Sequence, residues 1–170
     1  VYWEGQTTEN YRTINWVAVD FDYFDTFEMT MVDGRKFSKE FSTDRQNYIV
    51  NEELAKLMGF ESVIGKMFSI WENEGQIIGV VKNFHSRSMH NEIVPVVFTC
   101  DPNWSWSLSR VFVKTKSERI PETLNYIENT VAKFAPEYPF TYSFLDEEFE
   151  NLYKGDQQIG TIFKYFSIIA

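Results

Sequence analysis

The sequence predicts an α+β fold in which a mixed unit is inserted between two β-α-β halves. Three observations predict it. A strand-helix-strand pattern near the start of the chain recurs near its end. A stretch that is apolar on both faces, Gln76 to His85, lies between the two patterns. Turn signals on either side of that stretch mark off further strands and one helix. Two β-α-β halves side by side make an open sandwich of helices on sheet, with the insert as a second lobe. A length of 170 residues suffices for one domain or two small ones with a sizeable core.

In the first half, Thr13 to Val19 alternates as a strand. Asp20 is placed to cap a short helix whose inner face is Phe21, Phe24 and Phe27. Met29 to Val32 reads as the return strand, and Asp33-Gly34 as the turn that ends it. A charged stretch, Lys36 to Arg45, leads into the insert.

The insert opens with the strand Tyr48-Ile49-Val50. Asn51 then caps a helix that carries Glu52 and Glu53 in its first turn, where acidic groups complement the helix dipole. Leu54, Leu57 and Met58 form its inner face, and Gly59 is the expected stop. Met67 to Trp71 is a strand, and Asn73-Glu74-Gly75 is read as the short hairpin into the central strand. Within that strand Gly79 marks a point where a side chain would obstruct a neighbour. Val94 to Thr99 is one more strand, and Pro95 places it at a sheet edge or at its own beginning.

The second half repeats the first. Arg110 to Lys116 alternates as a strand, and Pro121 suits the first turn of a helix. Leu124, Ile127, Val131 and Phe134 fall at helical spacing. Pro136 to Pro139 breaks that helix, Pro139 to Leu145 returns as a strand, and Asp146 caps a final helix whose inner face is Phe149, Leu152 and Tyr153. From Ile159 to Ala170 the chain grows steadily more apolar. Both ends read as cut. The tail is too short for a span of about 20 residues, and it reads either as an amphipathic terminal helix or as the first turns of a membrane helix.

Composition excludes several functions. A net charge of −9 leaves nothing to neutralise phosphates, so nucleic acid is excluded, as is a basic patch for anionic lipid. Aromatic residues are 18% of the chain, read as core filler for a mixed sheet, with a carbohydrate platform as the alternative. The lone Cys100 forms no internal disulfide and reads as a buried strand-end residue rather than a nucleophile. No glycine-rich phosphate loop is present, since Gly65-Lys66 lacks its spacing. His85 and His90 have no further ligand at a metal spacing, so no metal or other cofactor is expected. Asp146, Glu147, Glu148 and Glu150 could be taken for a glycosidase carboxylate pair, but helix-dipole complementation accounts for them without catalysis. No catalytic residue is therefore expected. Trp104 and Trp106, two indoles in a polar loop, either fold back over the sheet or contact a partner.

Several segments, in order, resemble the extracytoplasmic domain of MacB-like, FtsX-type ABC transporter permeases, most closely those of Bacteroidetes. They are Trp3-Glu4-Gly5; Val19 to Phe27 followed by Asp33-Gly34-Arg35-Lys36-Phe37-Ser38; Val50-Asn51-Glu52 through Met58-Gly59 to Ile64-Gly65-Lys66; Ile78 to His85; and Tyr142 to Phe149 with Tyr153. Asn83 stands where such permeases usually carry Asp, and Glu28 where Gly is common. The resemblance implies a domain between the first and second membrane helices. It implies a porter-like lobe, residues 1–44 and 101–158, an inserted Sabre-like lobe, residues 45–100, and a truncated transmembrane helix at 159–170. It also implies an inner-membrane location facing the periplasm, a cytoplasmic ABC ATPase, a second permease copy, and a periplasmic adaptor or lipoprotein. The implied task is mechanotransmission, coupling ATP hydrolysis to movement outside the membrane for export or extraction of a peptide, lipoprotein or antibiotic. Two alternatives remain open. One is a stand-alone extracytoplasmic sensor or ligand-binding module with Trp71, Trp104 and Trp106 lining a pocket. The other is a hydrolase acting through Glu147 or Glu148.

Overall fold

A computed structural model describes residues 1–3, 5–6, 13–84, 92–101 and 110–148 of the chain. These fall into two units, the first ending at Val113 and the second beginning at Lys114.

The first unit is built on one mixed sheet of seven strands: β1 (Tyr2–Trp3), β2 (Asn15–Ala18), β3 (Met31–Gly34), β4 (Tyr48–Asn51), β5 (Met67–Ile70), β6 (Asn73–Val81) and β7 (Val96–Thr99). The order is β1-β5-β6-β4-β7-β2, with β3 also beside β6. The central strand foreseen in the sequence is β6, and it is the longest. Its first half pairs antiparallel with β5, its second half antiparallel with β3, and its other edge parallel with β4. β7 runs antiparallel to β4 and parallel to β2. Two short helices, α1 (Tyr23–Thr26) and α2 (Glu52–Met58), complete this unit.

Strands β4 and β7 and the second half of β6 are covered on both faces, which is why they carry no polar face, whereas the first half of β6 exposes Glu74 and Gln76. Tyr48 and Val50 of β4, Val97 of β7 and Ile77 of β6 pack with Leu54 and Met58 of α2. Ile49, Val96 and Phe98 point the other way and pack with Phe24 of α1 and Phe37. Here the aromatic content serves the core. Phe98 meets Phe24 at 5.1 Å between ring centroids, Phe84 at 5.9 Å and Tyr23 at 6.0 Å. Each large apolar side chain so buried contributes about 1.5–3 kcal/mol.

Asn51 fixes α2 to this sheet. Its side chain is fully buried, and its Oδ1 accepts from the N–H of Leu54 (3.0 Å) and of Val96 (2.9 Å). Its Nδ2 donates to the carbonyl of Val94 at 2.9 Å. One residue thus caps a helix and holds the entry of β7. Beyond the end of β6, Asn83 repeats the arrangement: its Oδ1 accepts from Glu53 N–H at 3.0 Å, and its own N–H donates to the Glu52 carboxylate at 2.7 Å. An aspartate at position 83 would offer the same acceptor, so the Asn leaves this cap intact.

Gly79 lies opposite Gly34, as the ladder between β3 and β6 requires. A Cβ at Gly79 would come within 2.4 Å of the Arg35 carbonyl oxygen, the obstruction expected from the sequence.

Several elements differ from expectation. The cap of α1 is Asp22, and Asp20 instead accepts the Asp22 N–H at 3.2 Å, forming a turn that leads into the helix. Asp33-Gly34 belongs to β3, because a bulge between Met31 and Asp33 carries the strand on until Gly34 meets Gly79. The β5–β6 hairpin turns at Trp71-Glu72, since Ile70 already pairs with Asn73. Pro95 immediately precedes β7, and β7 lies inside the sheet, so the proline marks a beginning and no edge.

In the second unit, α3 (Ile120–Phe134) has Pro121 in its first turn. Leu124, Ile127 and Val131 are half-buried, whereas Phe134 is 86% exposed and does not continue their stripe. Residues 145–148 are helical, so the last helix begins one residue before the expected Asp146 cap; Asp146 Oδ1 accepts the next N–H, that of Glu147. Residues 110–116 and 139–145, read as strands, join no sheet among the described residues. Val111, Phe112 and Val113 are all exposed, so alternation there does not sort an inside from an outside.

Two substitutions test this architecture. Asn51→Ala is expected to destabilise the chain by about 2–4 kcal/mol, because three backbone groups lose their buried partner together. Gly79→Val is expected to cost about 2–3 kcal/mol by forcing β3 from β6. Urea unfolding followed by circular dichroism measures both, and unchanged midpoints would contradict the assigned contacts.

Candidate functional site

The ten residues from Arg35 to Asp44 form a polar corner beside the sheet, organised by a buried carboxylate. Asp44 lies in a 3-10 turn, Ser42–Arg45, and is fully buried. The Arg35 guanidinium grips it with two hydrogen bonds, Nη1 to Oδ2 at 2.5 Å and Nη2 to Oδ1 at 2.8 Å. The Ser38 N–H donates to Oδ2 at 2.9 Å, and Asn47 approaches Oδ1 at 3.5 Å. Asn47 in turn accepts the Gln76 N–H at 3.1 Å, tying the corner to β6. Burial pushes the Asp44 carboxyl up, but the Arg35 guanidinium and the Ser38 N–H outweigh it and hold the group below the usual carboxylate range.

This turn borders a surface cleft. It encloses about 340 Å³ and is lined by Phe21, Lys39, Phe41, Ser42 and Arg45. Arg35 lies over the Phe41 ring at 4.2 Å, so the group that neutralises Asp44 also braces one wall. Lys39 reaches toward the Phe21 ring at 5.7 Å and toward Asp22 at 3.8 Å. Two cations and two phenyl rings thus face the same space, an arrangement suited to an anion with an apolar neighbour. In the sequence this region showed only as a charged stretch, because nothing local distinguishes Asp44 from a solvated carboxylate.

The residues singled out from the sequence fare differently. Trp104 and Trp106 lie outside the described residues, as do His85, His90, Glu150 and the apolar tail. Trp71 is 68% exposed at the hairpin tip, with a backbone φ of 52°, and its ring meets that of Trp16 edge-on at 6.0 Å. Asp146 and Glu147 are exposed, and Glu148 accepts a hydrogen bond from the Ser143 hydroxyl at 2.6 Å. Cys100 is buried at the end of β7 and donates to the Asp44 carbonyl at 3.2 Å. Burial, reinforced by the Asp44 and Asp101 charges, pushes its thiol up to about 12. Among the described residues no cluster of His, Cys, Asp and Glu could hold a metal ion, and no helix is long and apolar enough to cross a membrane.

The family described as MacB-like periplasmic core domain matches residues 1–130. Among solved structures, the periplasmic region of MacB from Actinobacillus actinomycetemcomitans is similar at 13% identity with a TM-score of 0.47, over 70% of this chain and 56% of that one. The extracellular domain of the noncanonic ABC-type transporter YknZ from Gram-positive bacteria is similar at 17% identity with a TM-score of 0.51, over 70% of this chain and 63% of that one. A domain assigned provisionally to a permease protein, from Porphyromonas gingivalis, is similar at 19% identity with a TM-score of 0.48, over 76% of this chain and 68% of that one. The YknZ likeness shows a shared fold. No curated protein matches.

Two outcomes are expected from the corner. The depressed Asp44 group stabilises the fold above the ordinary carboxylate range, and this contribution is lost as pH falls through its lowered value. Asp44→Asn should therefore cost about 2 kcal/mol at pH 7, and the gap to the parent should narrow on acidification toward pH ~2, as thermal melts across pH would record. At pH ~8 the Cys100 thiolate fraction falls roughly a thousandfold below that of an exposed cysteine. Iodoacetamide should thus label the native chain at least about a hundredfold more slowly than the urea-unfolded chain. Equal rates would place Cys100 at the surface.

Proposed function

Because the chain belongs to the family of MacB-like periplasmic core domains, we propose that it is the moving extracytoplasmic output of an ABC transporter permease. The match of that family over residues 1–130 carries the reading. In this account a cytoplasmic ATPase drives two permease copies together and apart in the inner membrane, and the periplasmic domains follow. The work done is mechanical: export or extraction of a peptide, lipoprotein or antibiotic without a reaction catalysed in this chain.

The physical features of the first unit support such a role. A transmitter must move as a body, because internal yielding would absorb the displacement. Strands β4 and β7 are covered on both faces, and the α2 start is bonded to the chain beyond β6 and to β7 through Asn83 and Asn51. Residues 1–44 and 101–158 would form the porter-like lobe and 45–100 the inserted lobe, with 1–44 and 45–100 joined through the pairings of β2 with β7 and β3 with β6. The helix from Asp146 to Phe166 would be the lever, and 159–170 its entry into the membrane. Trp104 and Trp106 would meet a periplasmic adaptor or lipoprotein.

The test uses the full-length permease with its ATPase in nanodiscs, spin-labelled through Lys56→Cys, an exposed site on α2. The distance between labels on the two copies is expected to shift when ATP and vanadate trap the ATPase. A flexible glycine-serine insertion of about ten residues after Glu148 should abolish the shift and leave ATP hydrolysis intact. A distance indifferent to nucleotide would overturn the reading.

A further inference from the structure

We propose that the cleft lined by Phe21, Lys39, Phe41, Ser42 and Arg45 docks an acidic segment of a partner polypeptide. It would take a carboxylate on Lys39 and Arg45 and an apolar side chain against Phe21 and Phe41. This rests on the reading above that the domain engages an extracytoplasmic protein.

Charge selects the occupant. The chain as a whole carries −9 and repels an acidic partner over most of its surface. The cleft is a local exception. Arg45 makes no ion pair among the described residues, and Lys39 has only the loose, exposed contact to Asp22 at 3.8 Å. An exposed pair of that kind is worth less than about 1 kcal/mol, so an incoming carboxylate displaces it readily. Further cations are already committed: Arg35 to the buried Asp44, and Lys36 to Asp25 at 2.5 Å.

Preorganisation favours binding in this place. Asp44 sits inside the turn that carries Ser42 and Arg45, so its hydrogen bonds to Arg35 and Ser38 hold that turn before any ligand arrives. Phe41 is held by its carbonyl, which accepts the Asp44 N–H at 3.0 Å, and by the Arg35 guanidinium over its ring. The turn and Phe41 then need no ordering in the binding step, which leaves only the exposed Lys39 and Arg45 side chains to be ordered. The volume of about 340 Å³ accommodates side chains, at the small end of ligand pockets.

The surroundings disfavour a membrane surface. A chain that carries −9 repels an extended sheet of anionic headgroups, whereas a single carboxylate needs to meet only the two cations of the cleft.

The test is a titration of the isotope-labelled 170-residue chain with the blocked peptide acetyl-Gly-Asp-Phe-Glu-Leu-Gly-amide, followed by amide chemical shifts. Saturable shifts at residues 39–45 are expected, with a Kd of about 0.1–1 mM at low salt that weakens as salt rises. The twin peptide with Asn and Gln for Asp and Glu should bind at least about fivefold more weakly, and Lys39→Gln with Arg45→Gln should weaken the acidic peptide about tenfold. Both side chains are exposed, so the fold survives their change. The proposal is overturned by no saturable binding, by equal binding of the twin, or by sodium acetate displacing the peptide at equal concentration. Stronger binding to vesicles of equimolar phosphatidylglycerol and phosphatidylcholine through the same two cations would overturn it in favour of a lipid surface. Peptide binding without nucleotide-driven movement would leave this site supported and remove transmission alone; movement without peptide binding would remove the site alone.

Discussion

A single buried amide, that of Asn51, is the constraint on which the first unit depends. A helix start leaves unsatisfied N–H groups, and a strand entering a sheet at a proline leaves unsatisfied carbonyls. Asn51 answers both at once, because its side chain has an acceptor for Leu54 and Val96 and a donor for Val94. No apolar residue could occupy this position without orphaning buried backbone groups, each at a cost of about 1–3 kcal/mol. The same logic recurs at Asn83, where one residue beyond β6 both gives and takes a hydrogen bond at the start of α2. The helix is therefore bonded by its first turn to the two strands that flank β4.

The other polar anchor, Asp44, does for the corner what Asn51 does for the sheet. It is charged as well as buried, so it demands a cation, and Arg35 supplies one in a two-pronged grip. The consequence runs outward. Arg35 braces Phe41, the turn presents Ser42 and Arg45, and a surface cleft acquires fixed walls from a buried interaction.

The parts of this fold legible in the sequence are those written in local chemistry. The capped helix from Asn51 to Gly59, the doubly apolar strand around Gly79 and the spacing of α3 all declare themselves within a dozen residues. Asn73-Glu74-Gly75 has the composition of a turn, yet the hairpin turns at Trp71-Glu72. Gly75 serves another purpose: a Cβ there would strike the Gln46 carbonyl oxygen at 1.8 Å, so the residue answers a close approach inside β6 while Trp71 takes the positive φ. Strand partners were out of reach, since β2 pairs with β7 and β3 with β6 across long separations that no local pattern encodes. Alternation at 110–116 and 139–145 suggested strands, but alternation specifies a strand only where one face is buried. The cleft was invisible for a related reason, its walls being assembled by a carboxylate whose burial only the folded chain reveals.

Strands β4 and β7, covered on both faces, with α2 pinned beside them at its start, leave few ways to yield internally, and a domain that passes on movement needs that property. Hydrogen exchange of the 170-residue chain measures it directly. The account requires the amides of Leu54 and Val96, the two donors to Asn51, to exchange only through global unfolding, with the same free energy as the core of β6. Exchange of those two amides by local opening, while β4 and β6 stay protected, would contradict it and show that the helix and the sheet are not one body.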